Sequence, residues 1–218
     1  MVSGKRGWFY GWYFKCQSDA QTLAVIPAVH QTGRNRTCSI QIITKKQSWT
    51  VSLPGEAFRR RGRTISIGRN RFGERGIRLA VCAPGLKAEG RLKFGPLSPI
   101  KYSIMGPFSL IPFLECRHSI LSMKHTVQGN VRINGETYYF KRAQGYWEGD
   151  RGRSFPREYI SEILERTGKP LRAPAKGDMT RTIHENAACR AVYRFRTQGR
   201  TLLAFETDRA SFEYEYEI

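Results

Sequence analysis

Glu148 and Asp150 lie two positions apart in Gly145-Tyr-Trp-Glu-Gly-Asp-Arg-Gly-Arg-Ser-Phe-Pro156, beside Arg151 and Arg153. Gly149 and Gly152 lack side chains and so allow a tight backbone path through this crowded segment. A carboxylic acid in a water-poor cavity is a natural proton donor, because burial disfavours its charged form and raises its pKa. If residues 146–150 are extended, Glu148 and Asp150 share one face with Tyr146 alongside, and Trp147 points the other way. Either carboxyl is a candidate catalytic acid, and Asp150 is preferred. The competing reading is that Arg151, Arg153 or Arg157 neutralises both and they merely pin a turn.

A second segment, residues 105–125, contains Glu115-Cys-Arg-His118 followed by Met123 and His125. Along a strand Glu115 and Arg117 share one face, about 6.6 Å apart at the backbone, and Cys116 and His118 share the other. Glu115 and Arg117 can therefore form a structural ion pair. The functional alternative has Arg117 orienting a ligand oxygen and His118 exchanging protons, since histidine titrates near neutrality. Cys116, His118 and His125 are ligand types that suit zinc. His118 and His125 differ by an odd number of positions, which puts them on opposite faces of an uninterrupted strand, so no metal is expected. Cys116 reads as a small buried residue rather than a nucleophile.

These groups need a scaffold, and the dominant local pattern is alternation. Ser48-Trp-Thr-Val-Ser-Leu53 and the run Ile77, Leu79, Val81 each read as a half-buried strand. Asn134-Gly135 between Val131–Ile133 and Thr137–Phe140 signals a two-residue hairpin, and Gln198-Gly199 joins two further strands in the same way. Phe212, Tyr214 and Tyr216 alternate with glutamates in a final strand. One helical pattern follows Ser154, with Ile160, Ile163 and Leu164 at helical spacing until Gly168. Pro84-Gly85, residues 95–99 and residues 169–177 read as loops. An antiparallel sheet with this many strands must close or be covered, which favours a barrel.

Met105-Gly-Pro-Phe108, the Glu115–His125 cluster and the whole 145–156 motif resemble the tocopherol cyclase-like family, as do Gly11-Trp-Tyr-Phe-Lys15 and Met179–Glu185. The resemblance covers most of residues 7–160 and resumes near Leu171. It implies an all-β, lipocalin-like antiparallel β-barrel. After Tyr159-Ile160 several of the family's strands are missing, so the barrel is expected to be incomplete or open in its second half, with one short peripheral helix. The expected organisation is a barrel over 1–160, a helix and linker over 161–178, and a hairpin and final strand over 179–218 that complete the sheet.

Plant members of that family close the chromanol ring of vitamin E, and the resemblance implies a similar isomerase, an intramolecular cyclase acting on a prenylated quinol or another isoprenoid. Ring closure protonates a trisubstituted alkene and lets the phenol oxygen capture the tertiary cation. The site therefore needs a proton donor, an apolar chamber and aromatic faces to stabilise positive charge. Asp150, Glu148, Glu115 and His118 are the catalytic candidates. Trp12, Phe14, Arg117, His125, Tyr146, Trp147 and Arg153 are the expected substrate contacts, with Tyr13 and Trp49 as further aromatic faces. No cofactor is expected. A non-catalytic lipid-binding barrel is the nearest alternative.

The chain has 218 residues, a net charge of +19 and a pI near 10.2, with 40% hydrophobic residues, enough to fold around a core. Five scattered cysteines without a CxxC pair argue against a disulfide framework. No signal-peptide core and no apolar run of spanning length are present, so a cytoplasmic protein is expected, with peripheral contact to anionic membrane as a further possibility. The densest basic tract is Arg59-Arg-Arg-Gly-Arg63, followed by Arg69, Arg71, Arg75 and Arg78. It reads as a hairpin with a solvated face. A basic barrel that binds nucleic acid is a second alternative, but no RNA-binding motif is present and exposed aromatics do not interleave with this tract, so nucleic acid is not an expected partner.

Overall fold

The structure is a computed structural model that describes residues 7–105, 110, 115–154, 168–197 and 200–214. The described secondary structure is almost entirely β. The strands are β1 (Trp8–Gln17), β2 (Thr22–Thr32), β3 (Asn35–Thr44), β4 (Ser48–Pro54), β5 (Phe58–Arg61), β6 (Thr64–Ile67), β7 (Asn70–Gly73), β8 (Gly76–Ala83), β9 (Leu86–Phe94), β10 (Cys116–Ile133), β11 (Glu136–Gly152), β12 (Lys169–Ala175), β13 (Asp178–Thr197) and β14 (Arg200–Tyr214). A 3₁₀ turn at Gly55–Ala57 separates β4 from β5.

Eleven strands form one antiparallel sheet in the order β4-β3-β2-β1-β11-β10-β9-β8-β7-β6-β5. The sheet curls until distant members meet, with the Phe14 ring of β1 6.0 Å from Phe72 of β7 and the Trp12 ring 6.0 Å from Phe58 of β5. One face buries a continuous apolar core drawn from Trp12, Phe14, Ile40, Phe72, Phe140, Trp147 and their neighbours. The sheet is not closed into a barrel. Its end strands β4 and β5 are adjacent in sequence yet do not pair with each other.

Asn134 and Gly135, at φ 48° and 91°, make the expected two-residue turn between β10 and β11. Those two strands, 18 and 17 residues long, are far longer than the hairpin signal alone suggested. Register shifts at Ile120/Ser122, Ser122/His125 and Val127/Gly129 let β10 bend along with the curling sheet.

Strands β12, β13 and β14 hydrogen-bond to one another as a second, three-stranded sheet rather than completing the first. β12 occupies residues that the sequence reads as loop, because Pro170 and Pro174 look like strand breakers. β12 is an edge strand paired only with β13, and a register shift between Ala173 and Ala175 steps past Pro174, so neither proline removes a needed ladder bond. The expected final strand from Phe212 onward is, as far as Tyr214, the end of a continuous β14, and the rest of it lies outside the described residues. The helix expected after Ser154 and the Gln198-Gly199 turn lie outside the described residues. No helix among the described residues is long and apolar enough to cross a membrane.

The second sheet packs on the face of β1–β3 that points away from the main core. Ala24 and Ile43 meet Leu171, Ala173, Ile183 and Ala187 there, with Tyr13 and Ile26 against them. Gln41 fastens the two sheets by donating from Nε2 to the Arg172 carbonyl at 3.1 Å and accepting from the Arg172 amide at 3.0 Å. Ser48 Oγ donates to the Pro170 carbonyl at 2.7 Å. Those bonds engage the free edge of β12, and beside them the two sheets enclose a space that side chains do not fill.

Candidate functional site

That space is a cavity of about 530 Å³ between β1, β2 and β11 of the large sheet and β12 and β13 of the small one. Strand alternation decides what reaches it. On β1, Trp12, Phe14 and Cys16 enter the main core, so Phe9, Gly11, Tyr13, Lys15 and Gln17 face the cavity. On β11, Trp147 enters the core and stacks on Phe14 at 5.0 Å, while Tyr146, Glu148 and Asp150 face the cavity. Ile26, Ala28, Met123, Leu171 and Ile183 supply apolar wall.

β1 and β11 are neighbours, with Gly11 opposite Asp150, Tyr13 opposite Glu148 and Lys15 opposite Tyr146. On the other side of β11, His118 of β10 lies opposite Asp150, and its Nδ1 is 2.7 Å from Asp150 Oδ1. Asp150 is 7% exposed. The hydrogen bond to Asp150, reinforced by one to Cys116, pushes His118 up to about 11 against the opposing effect of burial, so the imidazole is charged at neutral pH. Burial first, and then the charge of Asp150, push Glu148 up to about 7, although the Tyr146 hydroxyl donates to its Oε2 and pulls the other way. Burial drives the Tyr146 hydroxyl well above the usual phenol range. Tyr146, Glu148 and Asp150 thus line the cavity wall as one acid–base chain, and His118, which is not itself part of the lining, anchors its Asp150 end.

The small sheet adds Glu185, buried and facing Lys15. Burial pushes Glu185 up to about 7, against a hydrogen bond from Tyr13 and the charge of Lys15. Burial lowers Lys15 to about 8, opposed by the charge of Glu185. His30 also lines the cavity, with Nε2 3.1 Å from Ser39 Oγ, and burial lowers it to about 4, so it is neutral.

The structure brings together only part of the set read from the sequence. Glu148, Asp150, His118 and Tyr146 converge. Trp12, Phe14 and Trp147 do not contact the cavity, because the same alternation that presents their neighbours buries them in the core. His125 is also turned away. It pairs with Gly145, two register shifts along β10 from His118, and its Nδ1 is 3.0 Å from Ser122 Oγ. Its ring packs 4.3 Å from Phe94, and burial lowers it to about 4. Glu115 is exposed, and its carbonyl accepts from the Arg153 amide at 2.7 Å. Neither Arg117 nor Arg153 lines the cavity. Lys15, Glu185 and His30 were missed. Period-two reading of residues 8–16 would have placed Lys15 beside Tyr13, but nothing local links either to Glu185.

His118, Glu148 and Asp150 offer ligand atoms within 4.8 Å of one another, near enough to share a divalent cation. His118 Nδ1 is engaged with Asp150, so a cation bound through that nitrogen would have to displace that bond and the imidazole proton. Of the zinc-type set Cys116, His118 and His125, Cys116 hydrogen-bonds to His118 while His125 packs against Phe94 and Ser122.

No family model matches the chain, and no curated protein matches it. Among solved structures it is similar to an AttH-like protein from Nitrosomonas europaea, with 10% identity and a TM-score of 0.41 over 96% of this chain and 68% of that one. At that level of likeness no activity is transferred.

Proposed function

We propose that the protein binds an isoprenoid or prenylated quinol in the cavity between the sheets and protonates one of its double bonds, with cyclisation to an isomer as the outcome. Glu148 is the proton donor in this reading, ahead of Asp150, which is engaged by the His118 imidazolium. The supporting observation is a carboxyl raised to about 7 on the wall of an apolar cavity. An acid half-protonated near neutral pH is both present in its active form and able to give up its proton. The proton passes from Glu148 to the alkene carbon, a phenol oxygen of the substrate captures the resulting tertiary cation, and the phenol proton returns to the Glu148 carboxylate. No atom is gained or lost overall. The Tyr13 and Tyr146 rings, 6.3 Å apart in an edge-on arrangement, both line the cavity and offer aromatic faces to the developing cation.

The test is incubation with a small panel of prenylated quinols and polyenes, followed by separation and mass analysis. An isomer of unchanged mass formed by the wild type and lost in Glu148→Gln supports the proposal. Equal rates in the two remove Glu148 from the mechanism. A non-catalytic carrier is favoured by one specific feature, that the ionisable groups of the wall are already engaged with one another, Glu148 with Tyr146, Asp150 with His118 and Glu185 with Lys15. Tight retention of every panel member without any product would decide for the carrier.

A further inference from the structure

The basic tract acquires a pattern in the folded sheet that the linear sequence lacks. Strand register sets Arg59 opposite Ser66, Ser66 opposite Arg71, Arg71 opposite Arg78, Arg78 opposite Arg91, Arg91 opposite Asn130, and Asn130 opposite Tyr139. Directly paired residues share a face, so these seven form one transverse row across β5 to β11. Their flanking residues Ile65, Phe72, Ile77, Leu79, Leu92, Val131 and Phe140 are buried, which turns the row outward. Six interstrand steps of about 4.8 Å give it a length of roughly 29 Å.

Arg71, Arg78 and Arg91 stand abreast on three consecutive strands. Like charges directly opposite each other destabilise a sheet. Among the described residues no carboxylate pairs with any of the three, since Glu74 is taken by Arg63 at 2.9 Å and Glu89 by Arg132. The groove beside them, of about 810 Å³, is lined by Arg61, Arg71, Arg75, Arg78, Arg91 and Lys93, with Glu74 as its one acid. Beyond the arginines the row continues into an amide, Asn130, and an exposed ring, Tyr139 at 59%.

We infer that this row is a binding surface for single-stranded nucleic acid. The arginines neutralise successive phosphates, and Tyr139 with Asn130 offers a stacking face and hydrogen-bonding groups to a base at one end. The aromatic that the basic tract lacks in sequence is supplied from β11, some 60 positions away. An anionic bilayer fits the surface less well. Strands β4 to β9 carry none of the exposed large apolar side chains, which lie at Trp8, Tyr102, Ile104, Leu110, Met123 and Tyr139.

The test measures anisotropy of a fluorescent single-stranded oligonucleotide titrated with the full chain at several salt concentrations, roughly 50 to 200 mM. Each arginine–phosphate contact contributes about 0.7 to the slope of log affinity against log salt on a single strand. Arg71→Gln, Arg78→Gln and Arg91→Gln together should lower that slope by about 2. Tyr139→Leu should weaken binding roughly tenfold with the slope unchanged. The triple variant relieves repulsion between exposed side chains and should melt no earlier than the wild type, which separates loss of binding from loss of fold. An unchanged slope in the triple variant overturns the inference. So does a triple variant that still binds the oligonucleotide but no longer binds phosphatidylcholine–phosphatidylglycerol vesicles.

Discussion

Replacing half-buried His118 and buried Asp150 as His118→Gln with Asp150→Asn keeps two hydrogen-bonding side chains of similar shape but removes both charges. In the wild type His118 is held at about 11, against 6.5 for the unperturbed imidazole. A base whose pKa is raised by folding contributes stability that is fully present below about 6.5 and is lost as pH rises towards 11. Between those limits the folded chain carries one proton more than the unfolded chain at this position. The slope is then about −1.4 kcal/mol per pH unit, whatever the total strength of the pair. Lys15 titrates in the same range and is common to both proteins, whereas Glu148 and Glu185, both at about 7, feel the charge of Asp150 and titrate differently in the two. Above pH 8 those two carboxyls are largely ionised, so the difference in unfolding free energy, wild type minus double variant, should fall by about 1.4 kcal/mol from pH 8 to pH 9. Urea melts followed by tryptophan fluorescence at pH 8 and 9 give this directly, because Trp12 and Trp147 are both buried in the core. A difference that stays constant across the range would mean that His118 is not a protonated partner of Asp150, and the acid–base chain would lose its anchor.

Three further outcomes follow from the same geometry. Glu148→Gln should leave ligand binding intact and reduce turnover by about 10²- to 10⁴-fold, and wild-type turnover should decline as pH rises through about 7, where Glu148 loses its proton. Phe14→Ala should cost about 3 to 5 kcal/mol in denaturant melts while the fold's remaining population binds ligand normally, because Phe14 faces the core and not the cavity. Gly145→Ala would put a methyl group 2.2 Å from His125 Nε2, so a loss of about 1 to 3 kcal/mol is expected, and wild-type stability would show that His125 has room to move.

How much of this was legible in the sequence depended on the range of the interaction that decides it. Alternation is a local signal, and it correctly put Glu148, Asp150 and Tyr146 on one face with Trp147 on the other. The Asn134-Gly135 turn is also local, and it fixed the β10–β11 hairpin that carries His118 to Asp150. Applied along β1, the same rule would have sent Trp12 and Phe14 to the core. Their aromatic character suggested ligand contact because composition does not say which face of a strand is covered by what. β12 was hidden by its prolines, which an edge strand tolerates and an interior strand does not. With β12 read as loop, nothing local suggests a second sheet, and the cavity is expected inside a barrel, whereas the sheet is open and its concave face is filled by the core. Glu185 approaches Lys15 only because that second sheet docks on β1–β3, a contact spanning 170 positions that no short-range pattern encodes.

The proposed proton transfer to carbon is tested most directly by running the reaction in heavy water. If Glu148 protonates a double bond of a bound prenylated quinol, the product should carry one deuterium on carbon after back-exchange into ordinary water, and Glu148→Gln should form none of it. Product without deuterium on carbon, or ligand bound and returned unchanged by the wild type, would contradict that reading.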